Sequence, residues 1–116
     1  LLILNFSYMI SQYKIELNKA VDLKIYFMKI KIELYGASKD FSPENIIELD
    51  LKSNSHIKDL RNELIKFIDK RHNGNKNFHQ IVKSSAFCSE DNNIVHDDYL
   101  ISKEQKIAII PPIAGG

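Results

Sequence analysis

An apolar stripe along one predicted helix constrains the fold of this chain most strongly. Ser55 is a suitable N-cap and Asn73-Gly74 a suitable stop, so the pattern predicts a helix over residues 55–71. Its large apolar residues fall on one face, at the spacing i, i+3, i+7, i+10 and i+11. They are Ile57, Leu60, Leu64, Phe67 and Ile68. A stripe of this kind is stable only when it packs against a second apolar layer.

Segments with strand patterns can supply that second layer. Residues 28–35 alternate strictly between apolar and polar side chains, and residues 45–51 alternate in the same way. The short connection between these two segments predicts an antiparallel hairpin. Residues 105–110 form the last predicted strand, which stops at Pro111-Pro112.

Shorter features complete the predicted order. Residues 84–88 begin a third strand, residues 90–93 form a turn, and residues 94–96 form a short strand. The residues expected to point inward from the intervening loop and a short helix are Phe41, Phe78, Ile81 and Val82. The resulting order, β-β-α-(α)-β-β-β, predicts an α+β fold in which a mixed sheet packs on one main helix.

The N-terminal residues differ from this pattern. The apolar residues 1–4 come first and the first lysine is Lys14, so the order of a secretory signal is not met and we expect no secretion. Residues 9–27 have loose helical periodicity. We interpret residues 1–27 as an N-terminal extension, either not native or poorly ordered, ahead of one domain over residues 28–116. A functional arm is the alternative.

Composition argues against several classes of function. A net charge of +1 excludes a strong basic footprint for nucleic acid or an anionic membrane. No apolar run is long enough to span a bilayer. Cys88 is the single cysteine, which excludes an internal disulfide and favours a reducing, cytoplasmic location. The four histidines are scattered without a second cysteine, so we predict no metal site. The chain also lacks a glycine-rich phosphate loop, so we expect no bound cofactor.

The C-terminus carries the clearest candidate chemistry. The chain has four glycines, and two of them are Gly115-Gly116. Pro111-Pro112 favours an extended backbone, and the six residues after Ile110 span roughly 20 Å. Gly-Gly carries no side chains and can enter a narrow channel. We therefore predict a flexible tail over residues 111–116, whose terminal carboxylate becomes reactive once ATP converts it to an acyl-adenylate.

This ending is similar to that of a known family. Residues 106–116, Lys-Ile-Ala-Ile-Ile-Pro-Pro-Ile-Ala-Gly-Gly, resemble the end of the β-grasp (ubiquitin-like) sulfur carriers, most closely the small subunit of molybdopterin synthase. The strand at 28–35, the helix at 55–71 and Ala86-Phe87 support the resemblance. In one departure, Cys88 stands where the family often has an asparagine. In another, the segment after the first strand lacks the family's usual arginine.

The resemblance implies a carrier cycle. An E1-like adenylyltransferase would use ATP to adenylate Gly116, and sulfur from a persulfide donor would replace AMP to leave a C-terminal thiocarboxylate. The tail would then deliver sulfur to a cyclic pterin phosphate inside the large synthase subunit, for molybdopterin and the molybdenum cofactor. The tail residues that would enter the partner are Pro111, Pro112, Ile113, Ala114 and Gly115. The chain would be the non-catalytic subunit of a heterotetramer, with catalysis on the large subunit.

Docking residues are expected beside the tail, because a bare peptide tail loses much of its affinity to ordering. The predicted exposed apolar residues are Tyr35, Phe87, Ile109 and, within the tail, Ile113; the alternative for Phe87 is plain core. Other functions share the same tip chemistry: a thiamine-pathway or tRNA-thiolation sulfur carrier, or a ubiquitin-like modifier joined through Gly116 to a lysine. An interaction domain with an inert tail is a further alternative.

Overall fold

The computed structural model describes residues 26–113, which contain the predicted order of elements. The elements are β1 (Phe27–Leu34), a 3₁₀ helix (Gly36–Phe41), β2 (Ile46–Lys52), α1 (Ile57–Arg71), α2 (Lys76–Ser84), β3 (Ala86–Cys88), β4 (Ile94–Val95) and β5 (Gln105–Ile110). Phe27 already belongs to β1, one residue before the predicted domain start. The expected extension up to residue 25 and the tip residues Ala114, Gly115 and Gly116 lie outside the described residues.

The strands form one five-stranded sheet in the order β2-β1-β5-β3-β4. The predicted hairpin is confirmed, since β1 and β2 pair antiparallel. β1 also pairs parallel with β5, so that Ile32 lies between Ile47 and Ile107 at the centre of the sheet. β3 pairs antiparallel with both β5 and β4. The predicted mixed sheet is therefore confirmed.

The stripe of α1 covers one face of this sheet. Its fully buried members are Ile57, Leu60, Leu64 and Ile68, while Phe67 is only partly buried. They pack on the inward side chains of β1, β2 and β5. Along β1 and β5 the buried residues alternate with more exposed ones, as the period-two pattern predicts. Phe41 and Val82 are also fully buried in this core, and Phe78 and Ile81 pack against it, as predicted.

The C-terminal end of α1 agrees with the prediction, whereas its N-cap is one residue later than predicted. The N-cap is His56 and not Ser55: the His56 N–H donates to the Asp59 carboxylate at 2.8 Å, while the Ser55 carbonyl accepts from Ile101 at 2.8 Å. The backbone carbonyl of Ser55 thus accepts a tertiary hydrogen bond that the neighbouring residues in the sequence do not reveal. At the other end, Gly74 has φ +69° and its N–H donates to the Ile68 carbonyl, which confirms the predicted stop.

One arginine ties α1 to the segment that leads into β3. The guanidinium of Arg61 donates to the carbonyls of Val82 and Ser85, and to the Asp97 carboxylate at 2.7 Å. It also lies over the Phe87 ring, 4.8 Å from its centroid. These contacts satisfy carbonyls at the end of α2 and fix the entry into β3.

Candidate docking face and tail root

The tail begins beside the turn that follows β1. β5 ends at Ile110, and the ring of Pro111 lies next to Gly36: a Cβ on Gly36 would be 3.8 Å from the Pro111 Cδ. Gly36 has φ +55°, a conformation that favours glycine. Beyond Pro111 the chain turns outward, and the side chain of Ile113 is 86% exposed. The root of the predicted tail is therefore held by the fold, while Ile113 is free for a partner.

The sheet face opposite α1 carries an apolar patch at the same end. In register, Ala108 lies beside Cys88, and Cys88 lies beside Ile94. Ala86 lies beside Ile110, the last residue of β5. We call these five residues, Ala86, Cys88, Ile94, Ala108 and Ile110, the outer-face patch. Ile94 is 57% exposed and Ile110 39% exposed, so the patch offers apolar surface directly beside the tail root.

Two of the predicted docking residues are buried, and their expected exposure is wrong. Phe87 and Ile109 are both fully buried and lie opposite each other in register, facing α1. The cause is parity along β5, because Ile107 and Ile109 point inward and Ile110 therefore points outward. Ile110 and Ile94 are the exposed residues that the sequence reasoning missed. Counting the alternation forward from Ile107 would have identified Ile110.

Tyr35, the remaining predicted docking residue of the folded body, is 47% exposed at the edge of this face. Its hydroxyl donates to Glu33 Oε2 at 3.1 Å, and this hydrogen bond raises the pKa of Tyr35 above its ordinary value of 10.0. Ser38 fixes the backbone of Tyr35 from both sides, accepting from its N–H at 3.0 Å and donating to its carbonyl at 2.6 Å. The ring is therefore a preorganised part of the surface.

A shallow pocket of about 310 Å³ adjoins the outer-face patch. The residues that line it are Glu33, Tyr35, Cys88, Ser89, Glu90, Asn92, Lys106 and Ala108. Within residues 26–113, no group of three or more potential metal ligands comes together. In the same part of the chain, no helix has the length and apolar character needed to cross a membrane. The outer face therefore offers two features to a ligand or partner: an apolar surface and, at its margin, a pocket lined by polar side chains.

No protein-family model and no curated protein sequence matches the chain. The structure is similar to that of SAMP1 from Haloferax volcanii, with a TM-score of 0.55 and 12% identity, covering 76% of this chain and 99% of that one. It is also similar to a putative molybdopterin converting factor, subunit 1, from Pyrococcus furiosus, with a TM-score of 0.53 and 16% identity, covering 74% and 99% of the two chains. A third similar structure is the small archaeal modifier protein 1 from Methanosarcina acetivorans, with a TM-score of 0.53 and 18% identity, covering 78% and 99%.

At these identities the similarity establishes the fold. Nearly the whole length of each neighbour is matched, by about three quarters of this chain. The predicted resemblance is confirmed at the level of the fold: the chain has the β-grasp fold that these neighbours share.

Proposed function

We propose that this protein is a sulfur carrier for molybdopterin synthesis, whose Gly116 carboxylate is adenylated and then converted to a thiocarboxylate. The observation that carries the proposal is the position of the tail root: Pro111 directly follows Ile110, an exposed residue of the outer-face patch, and Ile113 is exposed two residues further on. A partner that binds the patch would receive the tail at the same time. The tether then raises the effective concentration of the sulfur at the acceptor.

The proposed charging of the tail takes three reactions. The Gly116 carboxylate displaces pyrophosphate from ATP and becomes an acyl-adenylate. A persulfide sulfur attacks the acyl carbon and AMP leaves. A second thiol of the activating system then cleaves the S–S bond, forming a disulfide with the donor and releasing the thiocarboxylate. The roles of the E1-like adenylyltransferase, the persulfide donor and the large synthase subunit are all part of this proposal.

The charging step is tested by intact-protein mass. Incubation with the activating enzyme, ATP and a persulfide donor is expected to raise the mass by the difference between sulfur and oxygen. Deletion of Gly116 is expected to abolish this gain while circular dichroism stays unchanged, because a glycine has no side chain to pack. A parent protein whose mass never changes with its cognate activating enzyme would refute the carrier function.

Docking is tested with the large synthase subunit from the same organism. Ile110→Asp and Ile113→Asp are each expected to weaken binding by more than about ten-fold, since a few apolar anchors carry most of the energy of such interfaces. Lys58→Asp is the matched control, because Lys58 lies exposed on α1, on the opposite side of the sheet. Equal binding by all three variants would place the docking surface elsewhere.

A protein modifier is the second candidate, and the similarity to two small archaeal modifier proteins favours it. In that case Gly116 would form an amide bond with a lysine of another protein. Lys106 is the last basic residue, so tryptic digestion of a conjugate would leave the remnant 107–116 on the target lysine. Detection of that remnant in vivo, without thiocarboxylate, would favour the modifier; thiamine-pathway and tRNA-thiolation carriers are distinguished by which acceptor receives the sulfur.

A further inference from the structure

One carboxylate, that of Glu33, lies beside the outer-face patch. Glu33 projects from β1 on the outer face, half-buried between Ile46 of β2 and Ala108 of β5. Within residues 26–113 it forms no ion pair, although Lys29 on the same strand pairs with Glu48 at 3.7 Å. A charge in a partly apolar setting is costly when a docking partner removes its remaining water, unless that partner supplies the opposite charge.

The Tyr35 hydroxyl satisfies only one oxygen of this carboxylate. It donates to Oε2, which leaves Oε1 without a hydrogen-bond partner among the described residues and holds the aromatic ring next to the charge. The other ionised groups that line the pocket are Glu90 and Lys106, so the pocket carries a net negative charge. An exposed aromatic ring beside a carboxylate suits a guanidinium, which stacks on the ring and donates hydrogen bonds in a planar fork.

We propose that this pocket receives an arginine side chain of the docking partner, which pairs with Glu33 and stacks on Tyr35. The inference rests on the proposed function, because the partner is the protein that binds the outer-face patch and accepts the tail. The arginine would set the orientation of the partner on the sheet, while the apolar contacts of Ile94 and Ile110 would contribute most of the buried area.

The experiment measures binding of the full chain to the large synthase subunit by titration calorimetry at low and at high salt. Glu33→Gln keeps the shape of the side chain and its hydrogen bond to Tyr35 but removes the charge. We expect it to weaken binding about ten-fold or more at low salt and to flatten the salt dependence. Glu48→Gln is the matched control on the same face, at the β2 edge, and is expected to bind like the parent.

Tyr35→Leu provides a second, independent variant, because it removes the ring and leaves the charge. It is expected to weaken binding several-fold with the salt dependence retained. If the parent binds and both Glu33→Gln and Tyr35→Leu bind equally well while remaining folded, the arginine pocket is wrong and the carrier function stands. If the parent itself does not bind the large subunit, the proposed function fails at the earlier step.

Discussion

The two faces of the sheet are built from the same strands but differ in burial: one face packs against α1 and the other is turned to solvent. The face toward α1 is built from aliphatic and aromatic side chains that are almost completely buried, among them Ile32, Ile107 and Ile109. The outer face, one residue out of phase, carries lysines and glutamates at one end and the outer-face patch at the other. Parity along the strand thus separates the buried core from the proposed docking surface.

The same difference between the faces gives two adjacent isoleucines different environments. Ile109 and Ile110 are neighbours in β5, with the same side chain and the same local sequence. Ile109 is completely buried, whereas Ile110 is 39% exposed beside the tail root. Exposed apolar side chains scattered singly need no explanation, but a contiguous set beside a predicted reactive tail indicates an interaction surface.

The largest difference between the two faces is expected when the same substitution is made on each of them. Ile109→Asp is expected to abolish folding, because an unpaired carboxylate in the core adds to the loss of a buried aliphatic side chain. Ile110→Asp is expected to remain folded, since its side chain reaches solvent. Circular dichroism and thermal melts check both variants. Similar melting temperatures for the two would refute the assigned parity of β5.

A neutral truncation measures how much α1 contributes to the buried face. Leu64→Ala is expected to cost about 2–5 kcal/mol of unfolding free energy, because the fully buried leucine leaves a cavity. Lys58→Ala, on the exposed side of the same helix, is expected to be close to neutral. Urea denaturation gives both values, and an unchanged midpoint for Leu64→Ala would mean that α1 does not pack as described.

The smallest expected effect concerns the titration of the outer face. The hydrogen bond to Glu33 raises the pKa of Tyr35 above 10.0 in the folded protein. It therefore stabilises the folded state at pH values below the pKa of Tyr35 in the unfolded chain. This contribution is lost as the pH rises through the pKa of Tyr35 in the folded protein. Glu33→Ala is expected to move the pKa of Tyr35 back toward 10.0. A titration followed by NMR of the tyrosine ring checks this. An unchanged value would mean that the two side chains do not interact in solution.

The sequence predicted the elements of the fold because their signals are local. The alternation over 28–35, the stripe on α1 and the Asn73-Gly74 stop each depend on neighbours within one strand or one helical turn. The tail is also a local signal, since Pro111-Pro112 ends β5 and cannot continue the ladder. The tip chemistry at Gly116 remains a prediction from the sequence and its resemblance.

Which apolar residues of the strands are exposed, and which are buried, followed from the tertiary fold alone. Phe87 and Ile109 have the composition of an apolar docking surface, but pairing with β5 and packing under Arg61 place the Phe87 ring in the core. The setting of Glu33 between Ile46 of β2 and Ala108 of β5 likewise depends on strand pairing that the residues around Glu33 do not reveal. Local patterns determine the period of a strand, whereas the strand's register against its neighbours, and the side on which the helix packs, determine which phase of that period is buried.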